Sequence, residues 1–474
     1  MEVVIIGGSD AGIAAALRAR ELDPSAKVTV ILKDAYPNFS ICGIPYYLSG
    51  EVANWSNLAH RSREHLEGLG IELRTEARVT SIDTQGHRVQ YQLRRGSHED
   101  VHWDRLIIAT GAAPVSPPIL GLAAAQQNGR VYFVHTIDDA RSIMDAIQRM
   151  AARRAIIIGA GYIGLELADG LITRGIAVHQ LEALPHVLPT IDPEIARLLE
   201  PELVAKGVEL ATGTLATSIE TTGTSVRVAL STSNTDRPGL AIGDIAIVVT
   251  GVRPETGLAV AAGATLGAAG AIWVDRRMQT GIEGVFAAGD CVITHHRLLG
   301  ETYLPLGTTA HKQGRVAGAQ AAGNSGEEFD GIVGTQVVKV FGQVIARTGL
   351  TEQEALAAGF NPASAITVAD DHKRYYPGAE TLTIKITGDR STHRLLGVTM
   401  LGSITSAIHK RIDVAAVALS TEMTIERLMD LDLAYTPPLG TPWDALQIAA
   451  SQWLGEIGAS DRRPNGIGSL HDRA

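Results

Sequence analysis

Apolar residues open the chain as an unbroken run, EVVIIGG, thin to helical spacing through AGIAAALRARELD, and return after Pro24 as a second run, KVTVIL (27–32). Continuous apolar runs bounded by glycine predict strands buried on both faces, and the intervening pattern predicts a helix laid on the sheet they form. The same order recurs later. ARRAIIIGAGYIG (152–164) supplies strand and turn, LELADGLITRG the helix, and IAVHQLE (176–182) the second strand. A strand, glycine turn, helix and strand met twice predicts two separate dinucleotide-type folds, not a repeat array.

Between these units the pattern predicts an exposed helix in HRSREHLEGLGIEL (60–73), alternating strands around 78–95, and a strand in DRLIIATGAAP (104–114). Residues 247–290 are again strand-like and end in GVFAAGD, and a helix begins near Thr308. After the hinge GNSGEE (323–328), strands such as TQVVKVFG and TLTIKITG mix with helices such as TEQEALAAG and IDVAAVALS. The fold class expected is therefore α/β, with two Rossmann-like domains followed by an α+β domain. The boundaries expected are 1–116 with 247–328 for the first dinucleotide domain, 117–246 for the second inserted into it, and 329–456 for the last. Residues 457–474 lack an apolar period and read as a flexible tail.

Composition narrows the function. The chain has 474 residues, a formal net charge of −10 and 4% aromatic residues, which argues against nucleic acid or an anionic membrane as partner. No apolar run reaches the length of a membrane span, and MEVVIIGG reads as a strand, not a leader. Cys42 and Cys291 are the two cysteines, too few for a disulfide framework. Their scarcity suits a reducing cytoplasm in which a thiol stays free for chemistry.

The turn Gly159-Ala160-Gly161-Tyr162-Ile163-Gly164 has the full G-x-G-x-x-G spacing. Its first glycine makes the tight turn, the second admits a pyrophosphate, and the third lets helix and strand pack closely. Such turns also cap ordinary α/β helices. Here Glu182 ends the next strand, where a carboxylate binds ribose hydroxyls and repels a 2′-phosphate, so NADH is expected over NADPH. The first turn, Gly7-Gly8-Ser9-Asp10-Ala11-Gly12, has Ser9 for the middle glycine. Its second strand reaches Leu32, not an acid, and Asp34 is the candidate ribose ligand two residues on.

With IIATGAAP (107–114) and VFAAGDC (285–291) added in this order, the chain resembles the pyridine nucleotide–disulfide oxidoreductase family over roughly residues 1–455. That resemblance implies FAD in the first domain and a nicotinamide cofactor in the second. It places Thr110 and Gly111 near the FAD pyrophosphate and Asp290 on the ribityl chain, with Gly251 among the cofactor-binding residues. Tyr162 and Glu166 would flank the nicotinamide, and a helix opening at Thr308 and Thr309 would face the flavin pyrimidine edge. The C-terminal domain implies a homodimer.

Cys42 lies in NFSICGIPYYLSG. Tyr47 stands where the family's two-cysteine reductases carry the second thiol, so the chain is similar to the single-cysteine branch of coenzyme A disulfide reductases, persulfide reductases, NADH oxidases and NADH peroxidases. By that resemblance Cys42 is the redox thiol, whose pKa an oxidised flavin beside it is expected to lower, and Tyr375, Tyr376 and Tyr435 reach the partner's thiol. Asp10 replaces a histidine usual in the oxidases and peroxidases, and Ile41 an asparagine usual in the coenzyme A reductases. Arg18 and Arg20 are candidates for a nucleotide phosphate. Cys291 reads as a buried filler. His295 and His296 have no companion ligands at metal spacing, so no metal is expected.

The activity implied is transfer of electrons from NADH, with NADPH possible, through FAD and Cys42 to a low-molecular-weight disulfide or persulfide. Alternatives are reduction of oxygen or peroxide at the same thiol, an NADH-binding redox sensor, and direct flavin reduction of a non-sulfur acceptor. The natural acceptor is not specified by these residues.

Overall fold

In the computed structural model, which describes residues 1–232, 235–324 and 326–461, five parallel strands form the first sheet. Their order is Val285–Ala287, Arg105–Ile108, Glu2–Ile6, Lys27–Ile31, Ile71–Arg74. Val3 to Ile6 are buried, as a parallel strand covered on both faces requires. Glu2–Ile6 lies between Lys27–Ile31 and Arg105–Ile108, so the chain leaves it in one direction and returns on the other. A cleft opens at the carboxyl ends of strands at such a switch point.

Helix Asp10–Leu22 covers this sheet through Ala11, Ile13, Ala15, Ala16 and Ala19. It crosses helix Gly307–Ala321 at backbone distance. A Cβ on Gly314 would lie 2.2 Å from the Ala11 carbonyl oxygen, and one on Gly318 would lie 2.3 Å from that of Ala15. The small residues of the second helix are what let the two approach this closely.

The second sheet repeats the design, in the order Val208–Ala211, Ala177–Leu181, Arg154–Ile158, Ile245–Val248, Val131–Phe133, all parallel. Both sheets belong to one compact unit, Met1–Leu188 with Glu202–Ile332. A second unit comprises Pro189–Pro201 and the chain from Val333. Its antiparallel sheet runs Gln336–Val340, Gln343–Gly349, Leu395–Ser403, Thr381–Asp389, Pro362–Asp370, backed by helices Ile408–Ser420 and Ala445–Asp461. The α/β class and the α+β C-terminal part agree with the sequence reading.

Three elements differ from that reading. The helix expected over 60–73 is only Arg63–Gly68, because Gly70 turns at φ 79° and releases Ile71–Arg74 to the sheet edge. Residues 247–290 hold two short strands, Val252–Pro254 and Val285–Ala287, around a helical turn, Gly257–Ala261. At the chain end, the helix runs on to Asp461, so 457–461 of the expected tail are helical, and 462–474 lie outside the described residues. Among the described residues, no helix is long and apolar enough to cross a membrane.

In the second unit Lys385 is buried, with Nζ 2.8 Å from Asp192 Oδ1 and 3.3 Å from Glu194 Oε2. Thr399 donates to the other Asp192 oxygen at 2.8 Å. Burial alone would lower the Lys385 pKa, but the carboxylates of Asp192 and Glu194 outweigh it and raise the value. Removing one partner strands the other charge without water. Lys385→Ala should therefore cost about 3–5 kcal/mol, whereas Arg88→Ala, which breaks an exposed pair with Asp100, should cost under about 1 kcal/mol. Urea unfolding of the two variants checks this, and equal losses would contradict it.

Candidate functional site

The two glycine turns are near copies in space. Gly7 and Gly159 stand at φ 112° and 113°, where a side chain is strained. A Cβ on Gly12 would meet the Gly7 carbonyl oxygen at 1.9 Å, and one on Gly164 would meet that of Gly159 at 2.2 Å. The third glycine of each turn is thus required by helix–strand contact. The middle positions differ: Gly8, where a Cβ would press on Leu32 at 2.8 Å, stands where the second turn has Ala160, and Gly161, where a Cβ would meet nothing, stands where the first turn has Ser9. Ser9 and Gly161 head their helices without side-chain capping bonds, which leaves each amino end to a ligand anion.

A cavity of about 420 Å³ lies beside the first turn, within the range of cofactor clefts. Gly7, Gly8, Ser9, Asp34, Thr110, Gly111 and Asp290 line it together with Ile41, Gly307 and Ala310. Thr110 donates to the Glu255 carbonyl at 2.5 Å and so fixes the loop around Gly111. Thr309 is buried with its hydroxyl unbonded, and Thr308 faces solvent. The helix starts at Gly307, which reaches the cavity along with Ala310. Burial pushes Asp290 up to about 6, with Asp10 adding to the rise. Burial likewise raises Asp34. The glycine cradle and the open helix end fit a dinucleotide such as FAD: Gly7 to Gly12 would hold its pyrophosphate, and Asp34 and Asp290 would hold its sugar hydroxyls.

Cys42 sits in a single helical turn, Ile41–Gly43, before helix Ile44–Ser49. Its side chain reaches solvent, whereas Cys291 is buried with Sγ 3.4 Å from the Ala288 carbonyl and 3.5 Å from that of Ile108. The lowered pKa expected at Cys42 is not what the protein's own groups produce. Crowding of the sulfur by the surrounding protein pushes the thiol up, and the negative charges of Glu166, Asp10 and Asp290 push it further. Any lowering must come from a bound group or a cation.

Sequence reasoning did not single out Tyr46. Its hydroxyl donates to Glu166 Oε1 at 3.0 Å, joining the thiol segment to helix Tyr162–Thr173 of the second sheet. Burial and the Glu166 charge raise the Tyr46 pKa, which keeps the hydroxyl protonated as donor. Its partner is far off in sequence, so no local pattern could expose it. His311 was also missed, though it follows Thr308 by one helical turn: its Nε2 stands 3.3 Å from Asp10 Oδ1. A third omission is Tyr303, whose hydroxyl donates to the Asp290 carbonyl at 2.9 Å.

At the second turn Glu182 is buried, and its oxygens accept from the N–H groups of Ala160 at 2.7 Å and Leu184 at 2.9 Å. Glu182 thus holds the glycine loop itself, as Leu32 supports the first turn by packing under Gly8. Tyr162 begins the following helix. Gly251 turns at φ 99°, and its carbonyl accepts from the Val115 N–H at 2.9 Å; it does not reach the cavity. Arg20 donates to the carbonyls of Leu69, Pro24 and Ala26, and Arg18 bonds Glu21 and Glu327, so both candidate phosphate ligands are already engaged. Tyr375, Tyr376 and Tyr435 lie exposed in the second unit. There the Lys373 N–H donates to the Pro437 carbonyl at 3.3 Å, which joins their two segments.

Residues 1–326 match the family described as pyridine nucleotide-disulphide oxidoreductase, and residues 335–445 match its dimerisation domain. An NAD(P)H coenzyme A polysulfide/persulfide reductase of Pyrococcus horikoshii is 34% identical over 451 residues, 95% of this chain and 97% of that protein. The structure of an NAD-dependent persulfide reductase from A. fulgidus superposes with a TM-score of 0.91 at 34% identity, covering 100% of this chain and 86% of that one. A water-forming NADH oxidase from Lactobacillus brevis, bound to NADH, gives a TM-score of 0.89 at 28% identity, over 97% and 100% of the two chains.

The turn geometry separates two glycine changes. Gly164→Ala drives a methyl group into the Gly159 carbonyl and should destabilise the fold. Gly161→Ala meets no protein atom and should leave the melting temperature unchanged while raising KM for NADH about tenfold or more, since the space it fills is where backbone and pyrophosphate meet. Unchanged KM in Gly161→Ala would remove the turn from NADH binding.

Proposed function

We propose, for a chain that belongs to the pyridine nucleotide-disulphide oxidoreductase family, that it is an NADH-dependent reductase of low-molecular-weight disulfides or persulfides working through Cys42. The observation that carries this reading is the placement of the thiol segment. Ile41 and Ile44 line the first cavity, Cys42 reaches solvent between them, and Tyr46 bonds Glu166 beside the second glycine turn. One short stretch of chain therefore joins the first cavity to the helix that opens at the second glycine turn, which supports a thiol lying between two nucleotides.

When bound, FAD would supply a two-electron relay between a nicotinamide and a sulfur centre. The chain's own part is to hold the two nucleotides and present the sulfur. Ionised Cys42 attacks a disulfide, forms a new S–S bond to one half, and frees the other half as a thiolate. Two-electron reduction of that mixed disulfide restores Cys42 and frees the second thiolate. The balance is NADH, one proton and a disulfide giving NAD⁺ and two thiols. A persulfide reacts in the same way, with hydrosulfide among the products.

Glu182 favours NADH, because a buried carboxylate beside the ribose repels a 2′-phosphate. The exposed Tyr375, Tyr376 and Tyr435 suit a homodimer in which one of them donates a hydrogen bond to the leaving sulfur of the partner's site. A free Cys42 suits a reducing, cytoplasmic setting. Ile41, together with Arg18 and Arg20 already engaged, supports a smaller acceptor than coenzyme A disulfide. The likeness to the L. brevis NADH oxidase supports a second reading, with oxygen as acceptor. Asp10 speaks against it, since a carboxylate at that position cannot lend the imidazole that the oxidases carry there.

The test is Cys42→Ser assayed with NADH against disulfides, persulfides, peroxide and oxygen. The variant should keep FAD and its reduction by NADH, lose turnover with sulfur acceptors by several orders of magnitude, as removal of a nucleophile does, and still leak electrons slowly to oxygen. Sulfur turnover as fast as in the wild type would exclude the thiol mechanism. Faster reduction of oxygen than of any sulfur compound by the wild type would favour the second reading.

A further inference from the structure

Asp10 is the first residue of helix Asp10–Leu22, and three features hold its carboxylate in place. Its helix crosses helix Gly307–Ala321 at backbone distance through Gly314 and Gly318. A Cβ on Gly289 would meet that of Ala11 at 2.7 Å, so the helix start has no room to withdraw. One carboxylate oxygen, Oδ2, points to the start of the second helix, 3.3 Å from where a Cβ on Gly307 would stand. The other, Oδ1, is shut off from water and accepts no hydrogen bond, with His311 Nε2 at 3.3 Å. A carboxylate oxygen left in this way is costly unless a cation or a donor serves it.

His311 is that group. It lies on the first turns of helix Gly307–Ala321, with half its side chain open to solvent, so it can exchange protons with bulk water. The charges that face the pair come from four elements. His60 presents its ring 6.4 Å from that of His311, Asp290 follows strand Val285–Ala287 and acts on Asp10, Cys42 comes from the thiol segment, and Glu166 acts on Cys42 from helix Tyr162–Thr173. Three acids thus act on the thiol, two of them, Asp10 and Asp290, line the cavity beside Ile41, and the His311 imidazole lies against Asp10.

We propose that Asp10 and His311 form a positioning pair that sets the charge at Cys42, with the His311 ring as its switchable member. With the ring protonated, the pair is neutral as a whole and Cys42 ionises against two remaining carboxylates. With the ring neutral, Asp10 acts on the thiol as a third. A neutral ring therefore opposes loss of the thiol proton, and a charged ring favours it. This rests on Cys42 being the reactive thiol, but it concerns the charge around the sulfur and not the acceptor.

The test is the pH profile of Cys42 alkylation by iodoacetamide in the FAD-loaded protein. Cys291 is buried, so Cys42→Ser supplies the blank. Asp10→Asn should raise the rate at neutral pH about tenfold, the effect of a unit drop in the thiol's midpoint. His311→Gln should lower the rate several-fold, and the double variant should fall between the two. His311→Lys, which keeps a cation, should react at least as fast as wild type. A profile that moves in neither single variant, or in Asp10→Asn alone, overturns the pair. Because the readout is alkylation, failure of the sulfur-reductase reading leaves this result interpretable, and a failed pair leaves the turnover assays interpretable.

Discussion

A thiol must ionise to attack sulfur, and the surroundings of Cys42 oppose that. The sulfur is crowded by protein and faces the carboxylates of Glu166, Asp10 and Asp290. Each of those acids also serves elsewhere, since Glu166 holds Tyr46, Asp290 faces the cavity, and Asp10 begins the helix beneath it. The site therefore leans on features that bring positive potential to the same place. These are the amino ends of helices Asp10–Leu22 and Gly307–Ala321 and the imidazole of His311, to which a bound flavin would add an electron-poor ring.

Holding these groups requires a frame that does not yield, and close backbone contact supplies it. The glycines at 12, 164, 314 and 318 each sit where a Cβ would lie within 2.3 Å of a carbonyl oxygen. They tie each glycine turn to its strand and the two helices to each other, and Asp10 and Gly307, which line the cavity, stand at the starts of these two locked helices. The same logic explains why two turns of nearly equal shape differ beneath the second position: Leu32 fills the space under Gly8, and Glu182 bonds the Ala160 N–H.

What could be read from the sequence follows from what is local. The buried runs at 3–6 and 155–158 and the glycine spacing at 159–164 specify strand, turn and helix through short-range sterics, so both nucleotide folds were legible. Cys42 was legible because its motif is contiguous. The Tyr46–Glu166 bond joins helices Ile44–Ser49 and Tyr162–Thr173, far apart in the chain, and the His311–Asp10 contact joins two helices at opposite ends of the first unit, so neither has a local signature. The helix expected at 60–73 failed at Gly70, whose positive φ ends one element and begins another within a short stretch of sequence that suits both. The three acids that push the Cys42 thiol up in the protein alone come from separate elements, so no local pattern shows them.

The central claim is that acceptor sulfur becomes covalently attached to Cys42 and that NADH discharges it. Mass spectrometry of the oxidised, FAD-loaded protein after exposure to an asymmetric disulfide, before and after one equivalent of NADH, tests it directly. The account predicts a single adduct on the peptide holding Cys42, none on Cys291, and loss of the adduct with oxidation of one NADH per adduct. An absent adduct, or one that persists after NADH while the enzyme turns over, would contradict it.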